Sequence, residues 1–412
     1  MNNALQAMIE EATRLTRAGH LTAATAAIQQ LLRGAPLSSS GPHGVRPLNP
    51  AGTTLAGAPC VLPADVLEGC VFEIRPQITP TQPLRPTEPK APPQQPQQRG
   101  ASSQSSINVG TEEFRQGSYS HASLTRQYKL FVPPHPAGQA LALVVMLHGC
   151  TQDPDDFAAG TGMNMLAREQ GICVLYPAQG QDANPSRCWN WFKHNHQSRG
   201  RGEPALIAAM TKAVMKEIGI DPRRVYIAGL SAGGAMAALV AAAYPELFAA
   251  VGVHSGLAPG AARNLPEALA AMKGLPSSTG LPTGAGHRFV ASPKSAPAEA
   301  HTQAAVPVIV FHGDRDQTVH PNNGEQVIMA ALRSDGTGAD VEQGVSALGR
   351  KYTRSTHADE QGRSVAEHWM LHGAGHAWSG GQPAGSYTDA NGPDASREMV
   401  RFFFEHPHRS AH

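Results

Sequence analysis

Short apolar segments alternate with helical segments from residue 107 onward, and this alternation limits the possible folds more than any other feature. Strands are predicted over 127–132, 141–147, 172–176, 225–230, 250–254, 306–312 and 367–371. Helices are predicted over 157–170, 203–218, 232–243, 323–332 and 395–405. Continuous apolar strands separated by helices are typical of a mostly parallel sheet with helices on both faces. The sequence therefore predicts one α/β domain over 107–412.

The first 34 residues have a different pattern. Apolar residues recur there at helical spacing on both sides of Gly19, which predicts a small helical hairpin over 1–34. The sequence shows no second copy, so a solenoid is excluded. The hairpin is either a docking element or an appendage that packs on itself or on the main domain.

Residues 35–106 are rich in Gly, Pro and Gln, and we predict a largely disordered linker there. Such a segment cannot bury enough apolar surface to offset the entropy lost on ordering. The alternative is a proline-rich ligand for a partner protein. A second low-complexity stretch, 257–305, is expected to be a variable insertion that forms a lid, a binding loop or a disordered loop.

The charge balance excludes several kinds of partner. The 33 Lys and Arg residues against 32 Asp and Glu residues give a net charge of +1, which excludes a broadly basic nucleic-acid surface. No apolar run approaches the roughly 20 residues that span a bilayer. The N-terminus lacks the pattern of a secretory signal, so we expect a cytoplasmic location, with export by another route as the alternative.

A nucleophile is predicted at Ser231. The sequence Gly229-Leu-Ser231-Ala-Gly233 ends a predicted strand and begins a predicted helix, as in the nucleophile elbow of serine hydrolases. The turn is tight, so side chains at the two glycine positions would collide with the neighbouring strand or helix. The backbone N–H of Ala232 would then point at a developing oxyanion.

The acid and the base are expected on later loops, because such hydrolases carry their triad in the order Ser, Asp or Glu, His. Asp316 follows the strand 306–312 and is preferred to Asp314. His376 follows the last strand and is preferred to His372. The alternative for either aspartate is a simple turn residue.

Neither a metal nor a cofactor is expected. His368, His372 and His376 have the spacing of ligands on one face of a helix, but Gly373 and Gly375 argue against a helix there. A second oxyanion donor is expected after the strand 141–147, where His148-Gly149 leads into Cys150. Because the donor would be the backbone N–H of Cys150, its thiol need not react. The alternative is that His148-Gly149 only ends a strand.

With these motifs, the sequence resembles the poly(3-hydroxybutyrate) (PHB) depolymerase-like esterases, whose catalytic domain is related to feruloyl and acetylxylan esterases. The matching stretches, in order, are 147–152 (LHGCTQ), 155–157 (DDF), 163–164 (MN), 174–177 (VLYP), 188–190 (CWN), 229–236 (GLSAGGAM), 312–316 (HGDRD) and 375–380 (GHAWSG). The resemblance implies an α/β-hydrolase fold and serine esterase activity. It also implies Ser231, Asp316 and His376 as the triad, and Cys150 and Ala232 as the oxyanion donors.

The sequence departs from secreted polymer-degrading members of that family, since we identify neither a signal peptide nor a polymer-binding domain after the closing helix. We therefore expect a PHB-type polyester or its oligomers as substrate and the granule surface as a possible partner. The alternatives are a feruloyl- or acetylxylan-type carboxylesterase, or a granule-associated binding protein with a weakly active site.

Two features of the family motifs stay open at the level of sequence. Cys150 and Cys188 lie in matching stretches and either pair or, as we expect in a reducing cytosol, remain thiols. Trp189 and Trp378 are candidates for lining a substrate groove. Either tryptophan is equally well explained as a core residue.

Overall fold

The structure of the protein is a computed structural model that describes residues 110–275, 306–332 and 338–408. The predicted hairpin over 1–34 and linker over 35–106 lie outside the described residues, as does 276–305 of the predicted insertion. The division of the chain at residue 107 therefore stays a prediction.

The described residues contain the strands and helices expected of an α/β domain. The strands are β1 (Glu113–His121), β2 (Leu124–Val132), β3 (Ala142–Leu147), β4 (Ile172–Pro177), β5 (Val225–Leu230), β6 (Ala250–His254), β7 (Val308–Gly313), β8 (Asp340–Val345), β9 (Lys351–Ala358), β10 (Ser364–Leu371), β11 (Trp378–Ser379) and β12 (Thr388–Asp389). The helices are α1 (Pro154–Thr161), α2 (Met163–Gln170), α3 (Gly202–Ile218), α4 (Ala232–Ala243), α5 (Leu265–Met272), α6 (Asn322–Leu332) and α7 (Ala395–Glu405). A 3₁₀ turn spans His194–His196.

One ten-stranded sheet organises these elements, in the order β1-β2-β4-β3-β5-β6-β7-β10-β9-β8. The six middle strands, from β4 to β10 in this order, pair in parallel with one another. The two edges are antiparallel, with β1 and β2 on one side and β9 and β8 on the other. The prediction of a mostly parallel α/β sheet is confirmed.

The middle strands are apolar throughout because both faces of the sheet are covered. Every residue of β3, β4, β5, β6 and β7 is buried. On one face Leu143 and Val145 pack in a cluster with residues of α3 and α4, and on the other Val144 and Met146 pack with residues of α1, α2 and α7. This two-sided burial explains why these strands lack the alternation of a half-exposed strand.

The structure differs from the predicted elements in three respects. The helix predicted over 157–170 is two helices, because Gly162 has a φ of 62° and this left-handed conformation ends α1. The strands β1, β8 and β9, which contain no buried residue, and the two-residue strands β11 and β12 were not predicted. The insertion contains α5, which begins after Asn264, whose side chain accepts a hydrogen bond from Glu267 N–H.

None of the helices in the described part of the chain has the length and apolar character needed to cross a membrane.

Candidate active site

The loops that carry the predicted site residues leave the sheet at one edge. Cys150 follows β3, Ser231 follows β5, Asp316 follows β7 and His376 follows β10. Because these strands are parallel, their carboxyl ends lie together, where α/β proteins place their functional groups.

Ser231 lies at a strained turn between β5 and α4. Its φ of 57° and ψ of −118° are unfavourable for a residue with a Cβ atom. A Cβ atom at Gly229 would lie 2.4 Å from the carbonyl carbon of Gly233, and one at Gly233 would lie 2.0 Å from Leu147 O. Both glycines are therefore required by close backbone contacts, as the sequence predicted for a nucleophile elbow.

Asp316 and His376 are joined by a hydrogen bond of 2.6 Å between Asp316 Oδ2 and His376 Nδ1. The other carboxylate oxygen accepts hydrogen bonds from the N–H groups of Thr318 and Val319, both at 2.9 Å. Burial acts to raise the pKa of Asp316, but hydrogen bonds from His312 and His376 outweigh it and hold that pKa well below its usual range. Asp316 is therefore ionised at neutral pH.

An ionised Asp316 fixes the tautomer of the neutral His376 ring. A carboxylate accepts hydrogen bonds only, so His376 Nδ1 carries the proton and Nε2 is left able to accept one. Among the described residues, Asp316 is hydrogen-bonded to His376, and neither of them is hydrogen-bonded to the Ser231 hydroxyl. Two of the three predicted triad residues are thus in direct contact, and Ser231 lies at the same edge of the sheet.

The two residues ranked second in the sequence contact each other. Asp314 Oδ2 is 3.0 Å from His372 Nδ1, and Asp314 Oδ1 accepts a hydrogen bond from Gly373 N–H. His372 Nε2 lies 2.8 Å from Thr353 Oγ1. This outer pair connects the loop after β7 to the loop after β10.

His254, at the end of β6, was not singled out in the sequence, yet it contacts two of the predicted triad segments. Its carbonyl oxygen accepts a hydrogen bond from Ser231 N–H at 2.9 Å, and its Nε2 accepts one from Ser379 N–H at 3.0 Å. The ring stacks on Trp378, two residues beyond His376, and on Phe311. Its place at the carboxyl end of a central strand was the signal that could have revealed it.

Burial keeps His254 uncharged. Removal from water, together with the nearby His312 and His376, lowers the pKa of His254 to about 3. Because Nε2 accepts from a backbone N–H, the ring proton lies on Nδ1, 3.2 Å from Ser255 Oγ. A neutral ring connects the nucleophile and base segments without adding a charge beside His376.

The loop after β3 packs against the nucleophile elbow. A Cβ atom at Gly233 would lie 2.5 Å from His148 O, and one at Gly149 would lie 3.6 Å from Leu230 O. Ala232 is the first residue of α4, so its N–H has no partner within the helix. The N–H of Cys150 makes no hydrogen bond with any described residue. The predicted oxyanion donors therefore lie on adjacent segments, Cys150 in the loop after β3 and Ala232 at the start of α4.

Cys150 and Cys188 form a disulfide, with 4.2 Å between their Cα atoms. The expectation that they remain thiols is wrong for this structure. The bond joins the loop after β3 to the segment before Trp189. The two cysteines can meet because both segments leave the sheet at the same edge, since β3 and β4 are parallel neighbours.

Trp189 and Trp378 lie in the core, with 0% and 1% of their surfaces exposed. The Trp189 ring contacts His148, and the Trp378 ring packs on Phe157 and His254. Side chains buried to this degree offer no surface to a substrate, so the alternative left open in the sequence, that both are core residues, fits the structure.

The three histidines considered as metal ligands are separated in the structure. His368 is part of β10, whereas His372 pairs with Asp314 and His376 pairs with Asp316. Within the described ranges, no group of three His, Cys, Asp or Glu side chains is placed to hold a metal ion.

Together, the sheet and the loops at its carboxyl edge define the α/β-hydrolase class. A family model described as "Esterase PHB depolymerase" matches residues 126–349, which is more than half of the chain, and the chain belongs to that family.

Similar proteins carry esterase names. Poly(3-hydroxyalkanoate) depolymerase C of Paucimonas lemoignei is 30% identical over 255 residues, which cover 60% of this chain and 57% of the relative. The probable acetylxylan esterase A of Aspergillus clavatus is 27% identical over 242 residues, which cover 55% of this chain and 69% of that protein. The chain thus spans little more than half the length of the depolymerase.

A solved structure supports the fold alone. The acetyl xylan esterase from Aspergillus awamori matches with a TM-score of 0.53 and 18% identity, covering 71% of this chain and 99% of that one. This similarity places the chain among proteins that share the α/β-hydrolase architecture.

Proposed function

We propose that the protein is a serine esterase whose triad is Ser231, His376 and Asp316. The observation that carries the proposal is the buried hydrogen bond between Asp316 and His376, beside a strained Ser231 at the same sheet edge. Membership of an esterase family supports the same reaction class.

In the proposed reaction, His376 Nε2 accepts the Ser231 hydroxyl proton as Oγ attacks an ester carbonyl carbon. Asp316 holds the imidazole in the required tautomer and stabilises its cationic form. The N–H groups of Cys150 and Ala232 stabilise the negative charge on the carbonyl oxygen, each worth about 3 kcal/mol in the transition state. His376 then gives the proton to the leaving alkoxide, and water releases the acyl group by the same steps.

The substrate that we propose is a PHB-type polyester or its oligomers. The similarity to the depolymerase of Paucimonas lemoignei supports this choice over other esters. The net charge of +1 agrees with it, because a neutral polyester needs no electrostatic steering. If the enzyme acts in the cytoplasm, the granule surface is its physical partner; an exported enzyme would instead act on polyester outside the cell.

A second substrate class is supported by the similarity to the acetylxylan esterase of Aspergillus clavatus. A third hypothesis, a granule-binding protein with a weakly active site, is disfavoured by the intact Asp316–His376 pair. The two esterase hypotheses use the same chemistry and differ only in the acyl and alcohol groups.

Hydrolysis of p-nitrophenyl butyrate tests the nucleophile. Ser231→Ala is expected to lower turnover on the order of a millionfold. Ser123→Ala, an exposed residue in the turn between β1 and β2, is the matched control and should retain full activity. Comparable activity of the two variants would overturn the proposed mechanism.

Product analysis tests the substrate. Release of 3-hydroxybutyrate from amorphous granules, compared with release of ferulate from its methyl ester and of acetate from acetylated xylan, separates the two classes. The proposal predicts that granules are degraded faster than the ferulate ester or acetylated xylan. Activity on neither the granules nor the xylan would contradict the proposed substrates.

The location is also a matter of proposal. The Cys150–Cys188 disulfide favours the alternative of export over the expected cytoplasmic location, because disulfides persist in oxidising compartments. Fractionation of the source cells, with thiol labelling of the protein in each fraction, tests this. Recovery of the reduced protein from the cytoplasm would contradict export.

A further inference from the structure

A fully buried carboxylate outside the proposed triad lies beneath the loop after β3. Glu203, in the first turn of α3, has an exposure of 0%. It accepts hydrogen bonds from Gln179 Nε2 at 2.6 Å and from Asn190, both from the backbone N–H and from Nδ2, at 2.8 Å. Burying a carboxylate costs desolvation free energy, even where several groups donate hydrogen bonds to it.

Glu203 is held in its charged form. Its burial acts to raise the pKa, but the His196 ring, 3.5 Å from Oε2, and the hydrogen bonds from Gln179 and Asn190 outweigh that effect and lower the pKa of Glu203 to about 2. Arg126 Nη2 lies 3.2 Å from Glu203 Oε1 and is itself buried, so the two charges compensate each other. Arg126 Nε also donates to Gln179 Oε1 at 2.8 Å, which fixes the orientation of that amide.

One route connects Glu203 to the loop after β3 through hydrogen bonds. Gln179, which binds Glu203 by its side chain, donates its backbone N–H to His148 Nε2 at 3.0 Å. Burial lowers the pKa of His148 to about 4, so the ring is neutral and Nδ1–H donates to Gly149 O at 2.8 Å. This chain ends one residue before Cys150.

A second route is covalent. Gln179 Nε2 also donates to Cys188 O at 3.0 Å, and Asn190, two residues further on, binds Glu203 by its backbone. Cys188 is bonded to Cys150. Both routes begin at one carboxylate and converge on the peptide that carries the Cys150 N–H.

From this convergence we infer that Glu203 is a positioning residue for the oxyanion site. It holds the Cys150 N–H in the orientation needed to stabilise the transition state. The inference rests on the proposed function, since it assigns a purpose to Glu203 only if the Cys150 N–H is an oxyanion donor. Glu203 itself touches neither the substrate nor the reacting atoms.

The ratio of the rates on an oxygen ester and on the matching thionoester distinguishes a positioning role for Glu203 from a general structural role. In a thionoester the carbonyl oxygen is replaced by sulfur, which is a poorer hydrogen-bond acceptor, so its hydrolysis gains less from oxyanion donors. A variant with a misplaced Cys150 N–H should lose rate on an oxygen ester and much less on the matching thionoester. A variant that is merely destabilised should lose rate on both.

The experiment compares Glu203→Gln with wild type on p-nitrophenyl butyrate and on its thiono analogue. We expect the oxygen-ester kcat to fall about tenfold or more, with KM little changed, because loss of one oxyanion donor costs on the order of 10²–10³. The thionoester kcat should change by less than about threefold. Glu246→Gln, which removes a surface ion pair with Arg199, is the matched control and should leave both rates unchanged.

If Glu203→Gln does not fold, as judged by circular dichroism, Gln179→Met provides the same test. It breaks the contacts to Glu203 and Cys188 while Arg126 and Asn190 still compensate the carboxylate. Equal losses on both esters, or no loss, in the folded variant would overturn the inference. Full activity of Ser231→Ala would instead overturn the proposed function, so the two failures are distinguishable.

Discussion

Asp314 and His372 form a second aspartate–histidine pair beside Asp316 and His376, with 3.0 Å between Asp314 Oδ2 and His372 Nδ1. The two pairs differ in burial. The side chains of Asp314 and His372 are 37% and 42% exposed, whereas those of Asp316 and His376 are 0% and 11% exposed. Water screens the outer pair, so only the inner carboxylate can strongly stabilise a charged imidazole.

This difference predicts losses of very different size for two matched substitutions. Asp316→Asn should lower kcat for p-nitrophenyl butyrate on the order of 10⁴, because the amide favours the wrong imidazole tautomer. Asp314→Asn should lower kcat by less than about tenfold, since the exposed pair only connects two loops. Steady-state kinetics on both variants measures this, and a larger loss in Asp314→Asn would reverse the assignment of the acid.

His254 gives a second prediction, because its ring nitrogen holds the segment that follows His376. His254→Gln keeps an acceptor for Ser379 N–H, and His254→Met does not, while both lose the stacking on Trp378 and Phe311. The Met variant should therefore have a kcat about tenfold below that of the Gln variant, with similar KM, since misplacement of a catalytic group by about 1 Å costs up to 10²-fold. Equal kcat values in the two variants would show that the hydrogen bond is unimportant.

The disulfide gives a third prediction. Cys150 and Cys188 are 38 residues apart, so in the chain-entropy model their bond stabilises the fold by about 4 kcal/mol. The double variant Cys150→Ala, Cys188→Ala should lose stability of this order in urea unfolding. Adding dithiothreitol should lower the stability of the wild-type protein toward that of the variant. It should not change the stability of the variant itself. A response of the variant to the reductant would point to a cause other than this bond.

Local patterns explain what the sequence predicted correctly. The elbow at Ser231 depends on two glycines within two residues of it, and the structure shows that each meets backbone atoms. The central strands were recognised because burial on both faces makes them continuously apolar. Substrate contact by Trp189 and Trp378 was a weaker inference, since proximity to a motif in sequence does not reveal which way a side chain points.

Interactions between distant residues explain what the sequence did not reveal. Ser379 and His254 are 125 residues apart, and Gln179 and Glu203 are 24 apart, so no local pattern marks either contact. The edge strand β8 has no buried residue, and therefore lacks the apolar alternation from which strands are predicted. The break at Gly162 was missed because one glycine inside a helical pattern is often tolerated.

Glu203 gives a final prediction, on stability rather than rate. Its pKa is about 2 in the folded protein against an ordinary value of 4.5, so folding favours the ionised form. This contributes about 3 kcal/mol above pH 4.5, and the contribution is lost as the pH falls toward 2. Glutamine does not titrate, so the difference in unfolding free energy between wild type and Glu203→Gln should shrink over that interval.

Urea unfolding of both proteins between pH 7 and pH 3 measures this difference. Glu246→Gln is the control, because the Glu246 side chain is 38% exposed and solvent screens its ion pair with Arg199. Its difference from wild type should be small and vary little with pH. A Glu203→Gln difference that stays constant down to pH 3 would mean that folding does not lower the pKa of Glu203. The contact with Arg126 and the hydrogen bonds to the carboxylate would then do no more than offset the cost of its burial.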